Sequence, residues 1–328
     1  VTDLVSLSDI EQAAVRIRPA ARVTPLLDVS LSLGSSSPVR QLLVKCENLQ
    51  ASGSFKVRGA YNFVARLGDD ERSRGVITYS SGNHGQGLAL AGRLLGARPV
   101  IVMPTTASPV KAEGAKRYGA EVLFEGTTTL ERKARAEAEA AKRGLTIVPP
   151  FDHRWIIEGQ GTTGLEIGEQ CPDVETVYVQ VSGGGLISGI SAALKRLKPR
   201  VRIIGVEPAG APKMSASLRE GHPVTLPKTS SVADGLLAVR PGDVTFPHVQ
   251  AFVDEVVTID DASTLDALRW LFRQARLVVE PSGAITVAAA LCAAGHPAHG
   301  PVVAVLSGGN VAADAFARYL GAGTGEEA

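Results

Sequence analysis

Four short segments of this 328-residue chain hold residue types that can do chemistry. Ser54-Phe55-Lys56-Val57-Arg58-Gly59-Ala60 sets a lysine beside an aromatic ring. A lysine amine is a nucleophile or base once neutral, a state that burial or a nearby cation promotes. Taken alone, a surface residue at a helix start is the better reading of Lys56. Ser80-Ser81-Gly82-Asn83-His84-Gly85-Gln86-Gly87 follows an apolar run. A strand, glycine loop and helix in succession aim N–H groups at one point and bind carboxylates or phosphates; a tight turn with a polar cap reads the residues equally well. Ser182-Gly183-Gly184-Gly185-Leu186-Ile187-Ser188-Gly189 lets the backbone approach a phosphate closely. Its glycines, with Glu207 after the next strand, also suit a dinucleotide fold whose carboxylate holds a ribose, although such a fingerprint alone is weak. Ser307-Gly308-Gly309-Asn310 puts a hydroxyl at the carboxyl end of an apolar run, where open α/β sheets bind ligands.

The elements that must position these segments alternate. Near-continuous apolar runs at 42–47, 76–80, 100–103, 121–124, 176–181, 201–207 and 302–306 predict strands covered on both faces, hence mostly parallel sheets. Between them lie helical patterns at 84–95, at 129–143 (charged and amphipathic) and at 187–197, directly after the glycine run. Ser8 and Glu11 supply an S-x-x-E capping box for a first helix. The fold class is α/β.

Composition bounds the function. Apolar residues make up 45% of the chain, enough for a large core and too many for a disordered one. A formal charge of +1 leaves no basic field for nucleic acid or anionic lipid. No apolar run approaches the roughly 18 residues of a membrane span. The start, Val1-Thr2-Asp3-Leu4, predicts no secretory signal. Three scattered cysteines, Cys46, Cys171 and Cys292, point to a reducing, cytoplasmic compartment rather than a disulfide framework. His296 and His299 sit among Gly and Pro and read as a loop, not a metal site. The Gly- and Glu-rich tail 321–328 is expected to fray.

Together the four segments resemble the fold type II pyridoxal-phosphate enzymes, in the serine/threonine dehydratase and serine racemase branch. Ordered landmarks extend the likeness over nearly the whole chain: Thr24-Pro25-Leu26, Lys45 to Gln50, Ala107 to Lys111, Tyr118 to Glu121, Gly159 to Thr162, Ala233-Asp234-Gly235 and Glu280 to Gly283. The resemblance implies two domains, each a mostly parallel twisted sheet flanked by helices: a large one from 1–74 and 149–328, and a small mobile one from 75–148. It implies a homodimer. It makes Lys56 the residue that forms a Schiff base with pyridoxal 5'-phosphate. Phe55 then packs on the ring, Asn83 bonds the phenolic oxygen, and Gly183, Gly184, Gly185 and Leu186 hold the phosphate. Ser307 faces the pyridine nitrogen, while Ser80, Ser81, Gly82 and His84 surround the substrate carboxylate. A neutral serine at the ring nitrogen weakens the electron sink and favours β-elimination over a free carbanion. The implied activity is dehydration of a β-hydroxy amino acid such as L-serine or L-threonine to a 2-oxo acid and ammonia. Hydroxyaspartate dehydration, a racemase or dual enzyme, a nicotinamide oxidoreductase and a non-catalytic binder are the rivals.

Three positions depart from the resemblance. Ser182 opens what is usually a four-glycine loop. Ser81 stands where racemases carry a second base and many dehydratases carry Ala. Glu207 and Ala211 match a divalent-cation site of serine racemases, but Lys213 replaces its aspartate. No bound metal is expected, since an ammonium repels a cation.

Overall fold

In a computed structural model, residues 4–35, 37–80, 82–107, 109–292 and 300–321 are described. Ten strands form two sheets. They are β1 (Leu26–Asp28), β2 (Leu42–Lys45), β3 (Val76–Tyr79), β4 (Pro99–Met103), β5 (Glu121–Phe124), β6 (Thr146–Ile147), β7 (Thr176–Gln180), β8 (Arg202–Pro208), β9 (Glu255–Ile259) and β10 (Val302–Val305). The larger sheet has the order β1-β2-β10-β7-β8-β9 and the smaller β5-β4-β3-β6. Every pairing is parallel except β1 with β2.

Side-chain alternation explains the continuous apolar runs. Val302 and Ala304 face one core with helix Pro281–Cys292, whereas Val303 and Val305 face another with helix Gly185–Leu197. The smaller sheet is covered in the same way. Ile101 and Met103 pack towards helix Asn83–Leu95, while Val100 and Val102 meet Ala136 and Ala140 of helix Thr129–Arg143. Val57, Ala60 and Val64 of helix Lys56–Val64 share a core with Leu88 and Ala89 of helix Asn83–Leu95. That contact is close because Gly87 has no Cβ; one there would lie 2.9 Å from the Lys56 carbonyl carbon.

All seven anticipated strands form. β1, β6 and β9 were not anticipated: they are two to five residues long, lie at sheet edges and are only partly buried, so they carry no continuous apolar run. The first helix, Leu7–Ile17, is capped differently from expectation. Ser6 and Asp9 form the box, and Ser8 lies inside the helix. Two capping boxes overlap in the sequence, and the one nearer the buried Val5 forms. Helix Gly185–Leu197 starts inside the glycine run rather than after it. His296, His299 and residues 322–328 of the tail lie outside the described residues.

Candidate functional site

Lys56 is the first residue of its helix, and the preceding turn is fastened to the end of β10. The Phe55 N–H donates to the Ser307 carbonyl at 3.0 Å, and Ser54 forms an antiparallel bridge with Gly308. Thus the first and fourth segments meet although Phe55 and Ser307 are 252 positions apart in the chain. The Lys56 amine donates to the Pro150 carbonyl at 2.7 Å and lies 5.1 Å from the centroid of the Phe55 ring. Burial pushes this amine down to about 8, which brings its neutral form within reach near physiological pH.

The second segment turns on Ser80. Its hydroxyl oxygen accepts from the N–H groups of Gly82 and Gly85 at 3.1 and 3.0 Å, tying the loop to the start of helix Asn83–Leu95. His84 is buried, with Nε2 3.2 Å from the Val148 carbonyl. Burial and the nearby Lys56 push its ring down to about 3, so it is neutral, and Nδ1 has no hydrogen-bond partner. Ser81 lies outside the described residues. Asn83 Nδ2 donates to Glu280 Oε1 at 2.6 Å, and Asn83 Oδ1 accepts from Asn310 Nδ2 at 2.9 Å. One hydrogen of Asn83 Nδ2 is left over from these bonds. Glu280 is buried, which pushes its carboxyl up to about 7 against the pull of Lys111. Gly308 permits this arrangement: a Cβ there would lie 2.6 Å from Glu280 Oε1.

The third segment joins the first through Pro150 and Phe151. A Cβ on Gly183 would fall 2.3 Å from an atom of the Phe151 ring. Gly184 has φ +102, a conformation that disfavours side chains, and a Cβ there would also meet Thr245 Oγ1 at 2.8 Å. The Gly183 carbonyl is held by Thr245 Oγ1 at 2.6 Å and by the Gly242 N–H at 3.1 Å. In a trans peptide the Gly184 N–H then points the opposite way. Beyond it, the first N–H groups of helix Gly185–Leu197 have no carbonyl one turn earlier to satisfy them. Ser307, also buried, offers a hydroxyl whose contact with the Ser282 carbonyl is a long 3.4 Å.

A desolvated, half-buried amine, a glycine cradle at a helix start and an underused hydroxyl thus converge on the carboxyl ends of one sheet. The family profile described as "Pyridoxal-phosphate dependent enzyme" matches residues 17–308. The chain belongs to that family. It is 40% identical over 311 residues to a serine racemase of Oryza sativa subsp. indica, covering 93% of this chain and 91% of that protein. It is 41% identical over 320 residues to an L-threonine ammonia-lyase of Thermotoga maritima, covering 98% and 79%. The solved maize serine racemase superimposes with a TM-score of 0.90 at 36% identity, covering 95% of each chain. These proteins are fold type II enzymes, and the cofactor of the family is pyridoxal phosphate.

The residues fit that cofactor. The cradle keeps its shape because Gly183 and Gly184 lack side chains that would meet Phe151 and Thr245, and a helix start with free N–H groups suits an anion. Lys56 is the neutralisable amine beside it. Among the described residues no group of acids, histidines and cysteines could hold a metal ion. The cation-site likeness fails physically. Glu207 is fully buried, with Oε1 3.0 Å from the Lys213 ammonium and accepting from Met214 N–H at 2.8 Å; Oε2 accepts from the Ser215 N–H at 2.9 Å. A carboxylate so occupied holds no ribose either, which removes the structural basis of the nicotinamide reading. Four residues with prominent places here received no role from the sequence: Pro150, Phe151, Glu280 and Asn310. Glu280 and Asn310 fall inside the motifs Glu280-Pro281-Ser282-Gly283 and Ser307-Gly308-Gly309-Asn310, their only sequence signal. Pro150 contributes a backbone carbonyl, which sequence does not mark.

Proposed function

We propose that this chain is a pyridoxal-phosphate-dependent ammonia-lyase. It converts a β-hydroxy amino acid, with L-threonine and L-serine foremost, to a 2-oxo acid, ammonia being released. The observation that carries the reading is the Lys56 amine. It sits on a half-buried side chain, is desolvated enough to be pushed down to about 8, and is held by a carbonyl rather than a carboxylate. Bound here, the cofactor would supply an electron sink for charge at the substrate α-carbon. Lys56 would attach the cofactor and, as a neutral amine, take the α-proton, oriented by the Pro150 carbonyl. Gly183, Gly184, Gly185 and Leu186 would hold the phosphate through N–H groups. Phe55 would pack on the ring, Asn83 would spend its spare N–H on the ring oxygen, and Ser307 would face the ring nitrogen as a neutral partner. The Ser80–His84 loop would take the substrate carboxylate through backbone N–H groups and the Ser80 hydroxyl, with Ser81 beside them. Because His84 is neutral, that loop attracts the carboxylate by hydrogen bonds rather than by a charge.

Residues 75–148 would act as a small domain closing on the site. All four strands of the smaller sheet fall within this span, and Lys111 pairs with Asp234 across the two bodies. A homodimer and a cytoplasmic location complete the proposal. The resemblance supports the first and the free Cys46, Cys171 and Cys292 support the second. No described helix is long and apolar enough to cross a membrane.

The test is release of 2-oxo acid and ammonia from a panel of β-hydroxy amino acids by the holoprotein. Absence of both products from every member would refute the lyase reading. Relatives named serine racemase at 40% identity favour a second reading, racemisation alongside elimination. D-Serine formed by the parent and lost in Ser81→Ala, with elimination retained, would establish it.

A further inference from the structure

Lys213 is among the largest fully buried side chains of the protein, yet its recorded polar partners, Val181, Ala211, Leu236 and Glu207, have no role in the proposed chemistry. Its ammonium sits in a cage of four oxygens. The carbonyls of Val181, Ala211 and Leu236 lie at 2.9, 3.1 and 3.1 Å, and Glu207 Oε1 at 3.0 Å. All four neighbours are acceptors. A neutral amine would turn its lone pair on one of them, so the cage selects the charged form. The distances also select an ammonium over a divalent ion, since Mg²⁺ wants oxygens at about 2.0–2.1 Å and Ca²⁺ at about 2.3–2.6 Å.

The oxygens come from three parts of the chain, and two of these parts lead directly to the cofactor cradle. Val181 ends the β7 run, two residues before Gly183. Glu207 lies near the end of β8 and accepts the first N–H groups of helix Lys213–Glu220. Leu236 closes the short turn Asp234–Leu236, whose Asp234 pairs with Lys111. Met214, next in sequence to Lys213, reaches the cradle itself: a Cβ on Gly184 would lie 3.2 Å from Met214 Cε.

We propose that Lys213 is a built-in cation, a positioning residue whose ammonium takes the structural place of a bound metal and thereby sets the Gly183–Leu186 loop for the cofactor phosphate. The proposal rests on the phosphate-loop reading, and not on which amino acid is the substrate. It makes cofactor binding independent of added cations in the parent. Removing the side chain but not the cage should create a cation requirement.

The experiment measures pyridoxal-phosphate affinity, by titrating the cofactor back into resolved protein, alongside turnover. In the parent, neither changes with a chelator, Mg²⁺ or K⁺. In Lys213→Ala the affinity falls by roughly tenfold or more, the scale at which supporting contacts behind a binding group act. Ammonium, methylammonium or K⁺ then restores it saturably. Lys213→Met fills the space without the charge; it binds the cofactor as poorly and is not rescued. Lys213→Asp gives the cage a second carboxylate, so its unfolding temperature rises with Mg²⁺ or Ca²⁺ where the parent's does not; this arm reads the cage even if the Ala variant fails to fold. Strong Mg²⁺ dependence of the parent would overturn the proposal. So would parent-like cofactor affinity in Lys213→Ala, or a loss in Lys213→Ala that no cation repairs. Because cofactor affinity is read directly, a protein that binds normally and lacks lyase activity would refute the proposed reaction and leave this inference standing.

Discussion

Lys56 connects to the glycine cradle through Pro150 and Phe151 and Lys213 through Met214, and the two are held in opposite ways. Burial pushes both amines down. At Lys56 nothing opposes it, and the amine donates to one carbonyl. At Lys213 the Glu207 carboxylate pulls back, and three carbonyls complete the cage. Lys45 resembles Lys213: it is buried, bonded to Glu166 and drawn back towards its charged form by that acid. Burial alone therefore does not make a lysine reactive. The missing counter-charge does, since a lysine without an acid can surrender its proton at modest cost.

The largest way to break this comparison is at Lys56. Lys56→Ala should abolish covalent cofactor attachment and cut turnover on the order of 10³-fold or more, because nucleophile and base leave together. Absorbance of the holoprotein and initial rates check it. Glu207→Gln should cost about 3 kcal/mol, the scale of stripping a buried ion of its partner. Urea unfolding reads that loss, and an unchanged midpoint would mean that Lys213 does not need the carboxylate. Gly184→Ala falls between the two lysines. Its φ of +102 and the approach to Thr245 should cost about 1–3 kcal/mol, divided between stability and cofactor affinity. The smallest effect is a pH slope. The Lys56 amine sits at about 8 when folded and near 10.5 when unfolded, so between those values the unfolded chain binds more protons. Relative to Lys56→Met, the cofactor-free parent should gain stability as pH rises from about 8 towards 10.5, and the full penalty should be present below 8. Parallel curves would show that Lys56 is not desolvated.

The sheets were legible because the central strands are buried on both faces and so read as apolar runs. Three of the four edge strands, β1, β6 and β9, were not, since half-exposed strands of two to five residues leave little such trace; the fourth, β5, was read from its Val122-Leu123-Phe124 run. The glycine segments were legible as backbone devices, and the helix start inside the glycine run differs from expectation by only two residues. Lys213 could be read as a departure, but not as the centre of a cage. Three of its four oxygens are backbone carbonyls, two of them brought in from 32 and 23 residues away, and no residue type announces them. The same holds for Pro150, whose carbonyl holds Lys56.

Borohydride trapping tests the central claim most directly. The cofactor-loaded protein is reduced, digested and mapped by mass spectrometry for the pyridoxyl mass. Label is expected on Lys56, which is only half-buried, and none on Lys45 or Lys213, which are fully buried and held by acids. Label on either of those lysines, or a loaded protein with no label on Lys56, would contradict the claim.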